Sequence, residues 1–235
     1  MPRLPERKRN ETRMPSVRRG RPPANEGGAV RKRLLDRALA LFASRGFDGT
    51  SVREIAAAAE VSSTALYAHF ATKRDLYNAL FREAGPSGIL GPARKRTGDV
   101  EHPARFIRGF VDDLMRMWSA PRFRLFTSML ARELAASDHP TSDLQPAIVL
   151  VQSELAQYFR GWRSSGALSS RSSDSQLAWE LIAPLIYIRL IYLQAHAAKF
   201  ERTRAFELAR NHADHFIRCI GSNDCIADET GTLDQ

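Results

Sequence analysis

Between Ser51 and Asp75 the chain carries three helix-start signals in close succession. Ser51-Val-Arg-Glu54 and Thr72-Lys-Arg-Asp75 have the form of capping boxes, in which a hydroxyl and a carboxylate each satisfy an orphan backbone amide. Ser62 stands between them as a further cap. Ahead of this group, Leu34, Leu35, Ala38, Leu41 and Phe42 share one face of a helix over 31–44, which Gly46 stops. Ile55 and the alanines after it predict a short, small-sided helix that a neighbour can approach closely. After a four-residue turn, the helix begun at Ser62 exposes Ser63, Thr64, Tyr67 and His69, while Leu66 and Phe70 point back to the core. A supporting helix follows Thr72. This is the pattern of a helix-turn-helix.

The residues themselves carry a resemblance. Phe42-Ala-Ser-Arg-Gly-Phe47, the Thr50-Ser51 start, Arg53-Glu54-Ile55-Ala56, Val61-Ser62 and Tyr67-Ala-His-Phe70 with Lys73 resemble the N-terminal domain of TetR-family transcriptional regulators, over residues 28–85. Glu60 departs from the pattern, standing where that family usually has glycine in the turn. A left-handed backbone there would cost a non-glycine residue roughly 1 kcal/mol. The resemblance implies double-stranded DNA as partner, a homodimer reading an inverted-repeat operator, and an apolar or amphipathic small-molecule effector. It assigns phosphate contacts to Tyr67, His69 and Lys73. Ser63, Thr64 and Tyr67 are placed to reach base edges or phosphates, with amide donors near Ser51 and Ser62. No Arg, Asn or Gln on this helix offers a bidentate base contact, so specificity is expected to lean on DNA shape, the N-terminal arm or Arg53.

Charge supports the same direction. The chain of 235 residues has a formal net charge of +9. Residues 1–33 hold eleven Arg and Lys against three Glu, a local excess of eight that accounts for nearly all of it. A basic arm directly before a helix-turn-helix is an electrostatic footprint for phosphates. Within it, Arg19-Gly20-Arg21-Pro22-Pro23 resembles the core of an AT-hook, a segment suited to a narrow minor groove. A chance basic, proline-rich linker is the alternative. No window has the ~18 apolar residues of a membrane span, and no secretory signal is present. Two cysteines, Cys219 and Cys225, are too few for a disulfide framework. These features predict a cytoplasmic protein with no membrane partner.

The remainder shows helical periodicity and no convincing alternating strand, so the expected fold is all-α: a three-helix helix-turn-helix domain plus a larger helical ligand-binding and dimerisation domain. The expected division is a disordered basic arm at 1–27, the DNA-binding domain at 28–85, a breaker-rich linker at 86–101, the larger domain at 102–220 and a disordered acidic tail at 221–235. Candidates for a ligand pocket are Phe110, Leu114, Trp118, Phe126, Met129, Tyr158, Trp162, Tyr187 and Arg189, although an aromatic stripe at helical spacing is more often simple core. Arg189 is unusual, a charge amid Ile186, Ile188, Leu190 and Ile191 that needs an acidic partner or an anionic ligand if buried. The segment from Gln176 is apolar on too many sides for one core. Leu181, Leu185 and Ile188, with Phe206, Ala213, Phe216 and Ile217 of the last helix, are therefore expected at a dimer interface, the alternative being a central helix fully buried within one monomer. Pro184 should free a carbonyl within this helix.

Enzyme chemistry has little support: no phosphate-cradling glycine loop or nucleophile elbow is present. His212 and His215 share a helical face, but no third ligand completes a metal set, so neither metal nor cofactor is expected. The sequence reads as a ligand-responsive regulator, a repressor in preference to an activator. The rival is a non-specific architectural DNA-binding protein driven by its arm, without an effector.

Overall fold

In the computed structural model, residues 24–136 and 145–221 are described. The arm with Arg19 and Arg21, the tail beyond Gly221 and Cys225 lie outside them. Among the described residues the chain is helical, without strands. Four helices form the N-terminal unit: α1 (Ala24–Arg45), α2 (Val52–Ala58), α3 (Ser63–His69) and α4 (Lys73–Ala84). Then come α5 (Leu90–Arg94), α6 (Pro103–Ser119), α7 (Pro121–Ala136), α8 (Gln145–Ser164), α9 (Asp174–Tyr192) and α10 (Lys199–Ile220). No described helix is long and apolar enough to cross a membrane.

Two departures from the expected division have physical causes. Helix α1 begins at Ala24, inside the segment assigned to the arm, and carries Gly27 and Gly28 in its first turns. The expected linker is instead folded. Its 3-10 turns at Pro86–Ile89 and Thr97–Asp99 flank α5, and Ile89, Leu90 and Ala93 are buried in the C-terminal core. Glycine and proline break long helices but tolerate such single turns, and three apolar side chains are enough to bury them.

The apolar side chains divide into two cores that do not follow the sequence boundary. Leu34, Leu35, Ala38, Leu39 and Phe42 of α1 pack with Ile55, Leu66, Phe70, Leu76 and Leu80. Helix α7 lies along α1, and Phe126, Met129 and Leu130 complete this first core. The second core gathers α5, α6, α8, α9 and α10. Phe123 touches both.

Helix α9 continues through Pro184. A proline nitrogen cannot donate, so the Glu180 carbonyl one turn earlier loses its helical partner. His212 of α10 faces this point, with Nε2 3.0 Å from the Leu181 carbonyl oxygen. Burial depresses the His212 pKa, opposed by hydrogen bonding to the Leu181 and Glu180 carbonyls, while His215 adds to the depression. The native state therefore takes up a proton here less readily than the unfolded chain. Stability contributed by neutral His212 is present above the ordinary histidine pKa, near 6.5, and is lost as pH falls below it. Chemical denaturation between pH 7.5 and 5 should show a declining midpoint, and His212→Gln, which keeps a donor without titrating, should flatten the decline.

Candidate nucleic-acid interface and effector region

Both capping boxes form. The Glu54 amide donates to Ser51 Oγ at 3.2 Å and the Ser51 amide to Glu54 Oε2 at 2.8 Å. The Thr72–Asp75 pair repeats this with both bonds at 3.0 Å. Ser62 caps α3 by accepting from the Ala65 amide at 3.1 Å. Ser51 and Ser62 thus hold helix starts as acceptors, and each exposed hydroxyl still has its O–H to donate. Arg45 pairs with Glu54 at 2.7 Å. The backbone and side-chain bonds from Ser51 come first among the causes that hold the Glu54 carboxyl below its ordinary pKa.

The turn between α2 and α3 is left-handed where the sequence suggested it. Glu60 has φ 57° and is the non-glycine residue with positive φ among those described. It is exposed, so its side chain gains no packing to offset the strain.

On α3, Leu66 is buried and Phe70 closes the base. Thr64, Tyr67 and Ala68 are exposed, Tyr67 to 53%. Ser63 and His69 are half-buried, and Arg53 is exposed on α2. Lys73 sits differently from a free phosphate contact. Its Nζ donates to the Phe47 carbonyl at 2.8 Å and the Thr50 carbonyl at 3.0 Å, and lies 4.0 Å from the Phe47 ring centroid. It ties the α1–α2 loop to the start of α4. The start of α1 runs beside α3: a Cβ on Gly27 would lie 4.0 Å from His69 Cε1. The N-terminal end of α1 therefore lies next to α3.

The nine candidate pocket residues do not form a single lining. Phe110, Leu114 and Trp118 are buried on α6. Arg189 of α9 lies between Trp118 and Phe126, and Phe126 and Met129 belong to the first core. Tyr158 and Trp162 line a groove of about 650 Å³ with Glu101, Glu154 and Gln157. Tyr187 is 66% exposed. The difference has a simple origin: helical spacing identifies an apolar face but not which neighbour covers it.

Of the expected interface residues, Leu181, Leu185, Ile188, Ala213 and Phe216 are buried inside one protomer, whereas Phe206 and Ile217 pack on the same core but remain half-buried. The five buried side chains have little surface left to offer a partner. The apolar excess of α9 lies on the opposite face, where Trp179, Tyr187 and Ile191 stand 45%, 66% and 50% exposed. Ala183 completes this stripe of four-residue spacing, which the sequence showed but which the larger aliphatic set obscured.

A family profile for bacterial regulatory proteins of the tetR family matches residues 34–80, from the first core residue of α1 to the end of the α4 packing face. Residues 34–80 thus match the DNA-binding domain of that family. Over 117 residues it is 42% identical to the HTH-type transcriptional repressor KstR2 of Mycobacterium tuberculosis, covering 43% of this chain. It spans 58% of the length of that curated relative. Its fold resembles that of SmeT, the repressor of the Stenotrophomonas maltophilia multidrug efflux pump SmeDEF. The TM-score is 0.68 at 18% identity, over 89% of this chain and 98% of that one. The SmeT–triclosan complex gives a TM-score of 0.67 at 20% identity, over 84% and 94%. These likenesses show that the TetR fold extends beyond the DNA-binding domain through the C-terminal helices.

Replacing Glu60 by glycine should relieve the turn: Glu60→Gly is expected to stabilise the protein by about 1 kcal/mol without weakening DNA binding. Paired denaturation and DNA titrations check both halves.

Proposed function

We propose that this protein is a homodimeric, ligand-responsive transcriptional repressor of the TetR family, without catalytic activity, that binds an inverted-repeat operator until an apolar or amphipathic effector releases it. The observation that carries this reading is the capped, exposed face of α3, held on a core that α7 completes. A DNA-reading surface and a larger helical domain thereby share one packed helix. Tyr67 and Thr64 are the leading contacts from α3, with Ser63, His69 and Arg53 beside them. Lys73 acts first as a tether, and Arg19 and Arg21 add phosphate or minor-groove contacts.

Two recognition helices read successive major grooves when a dimer sets them about 34 Å apart. The stripe Trp179, Ala183, Tyr187 and Ile191 is the surface we assign to that dimer, in place of the side chains buried in the protomer. Release of DNA by an effector requires that it bind the non-operator geometry more tightly, since only differential affinity shifts the equilibrium. The triclosan complex of SmeT, a protein of the same fold, supports a small-molecule effector.

Binding-site selection from random DNA at near-physiological salt tests the reading, with residues 1–23 present and absent. Recovery of one inverted repeat by both forms is expected. Recovery of no motif, or of A/T-rich DNA only when the arm is present, would replace this reading with a non-specific architectural role.

Two substitutions test its parts. Tyr67→Ala should weaken operator binding on the order of tenfold while leaving the dimer intact, the size expected for one hydrogen bond to a charged group. Trp179→Arg with Tyr187→Arg should give monomers in sedimentation and abolish operator binding. A double variant that stays dimeric would displace the assigned interface.

A further inference from the structure

Arg189 is a buried cation with no counter-ion among the described residues. It is 2% exposed. Its Nε donates to Thr127 Oγ1 at 2.8 Å, and the guanidinium carbon lies 4.8 Å from the Trp118 ring centroid and 5.5 Å from that of Phe126. Its Nη2 has no hydrogen-bond partner among the described residues. Burial lowers the Arg189 pKa to about 9, which still leaves the side chain protonated at neutral pH. Aromatic faces attract a guanidinium, but they do not take up its N–H groups. A buried charge in this state lacks an anion.

We propose that Arg189 anchors the carboxylate of a monoanionic effector with an apolar body, a proposal that rests on the ligand-responsive reading above. The shape of the donor selects the acceptor. With Nε engaged by Thr127, the Nη end of the guanidinium presents a planar fork, which matches a carboxylate. The charge selects too. One cation among Trp118, Phe126 and the neutral Thr127 balances a single negative charge, whereas a phosphate monoester would leave a second charge buried.

Position links this contact to the DNA-binding domain. Thr127 and Phe126 are neighbours on α7, and the Phe126 ring meets Phe81 of α4 edge-on, with centroids 5.1 Å apart. Leu190, next to Arg189, packs on the same first core. An anion that reaches Nη2 between Trp118 and Phe126 displaces the Phe126 ring from Phe81. It thereby shifts the α7 surface on which α1 and α4 rest, and so the spacing of the α3 helices in the dimer.

The test uses the full-length protein and two acids, decanoate and 2-naphthylacetate, each compared with its methyl ester and with the corresponding alkyl phosphate, decyl phosphate or 2-naphthylethyl phosphate. Calorimetric titration without DNA is expected to show at least one acid binding tenfold or more tightly than its ester and its phosphate. Arg189→Met should erase that preference while melting at or above the wild-type temperature, because an unpaired buried charge has been removed. Arg189→Lys, which keeps the charge without the fork, should retain only part of the preference.

Absence of binding by both acids, equal binding of acid and ester, or tighter binding of the phosphate overturns the proposal. So does a preference that survives in Arg189→Met. If Arg189→Met instead melts lower than the wild type, the charge already has a partner within the chain and the proposal falls. Operator release is read separately. An acid that binds through Arg189 but leaves the operator occupied sustains the anion site and removes the repressor switch. Release by a neutral compound, with no acid preference, does the reverse.

Discussion

The burial of one helix in two places is the main packing link between the DNA-binding domain and the C-terminal helices. Phe126, Met129 and Leu130 of α7 close the core of the DNA-binding domain, while Phe123 on the same helix also meets the C-terminal core. Protein interiors are close-packed, so a helix shared in this way transmits displacement instead of absorbing it. The two domains are accordingly not joined by a flexible tether. The segment between α4 and α6 is wound into short turns and buried through Ile89, Leu90 and Ala93.

Polar contacts refine this arrangement at the surface. Glu83 of α4 accepts from Arg31 of α1 and Arg122 of α7, both at 2.8 Å, across the same junction. Burial pushes the Glu83 pKa up, but hydrogen bonds from the two arginines outweigh it and leave the carboxyl below its ordinary value. These groups are partly exposed, so each pair adds only a fraction of a kcal/mol, and the network orients what apolar packing has already joined. Inside the DNA-binding domain, Lys73 does comparable positional work with carbonyls in place of carboxylates.

Much of the N-terminal domain was legible in the sequence because its signals are local. A serine or threonine followed three residues later by an acid satisfies its own helix start wherever it occurs, and all three caps form as read. The left-handed turn at Glu60 was legible for the same reason. The C-terminal domain was less so. Phe110 and Tyr187 both sit on apolar helical stripes, yet one is fully buried and the other largely exposed. Lys73 shows the same limit in a polar residue. Its sequence context suggested a phosphate contact, but two carbonyls from a loop more than twenty residues earlier engage its ammonium.

The sequence by itself determined the helical class, the helix-turn-helix and its capping, and the concentration of positive charge ahead of α1, since each depends on interactions within a few residues or on charge alone. Only the tertiary structure decided that α7 completes the first core, that the outward stripe of α9 is Trp179, Tyr187 and Ile191, and that Arg189 is buried with no acid among the described residues beside it. Those outcomes depend on which helices meet and at what angle, and an apolar face of fixed period is compatible with many neighbours until packing selects one.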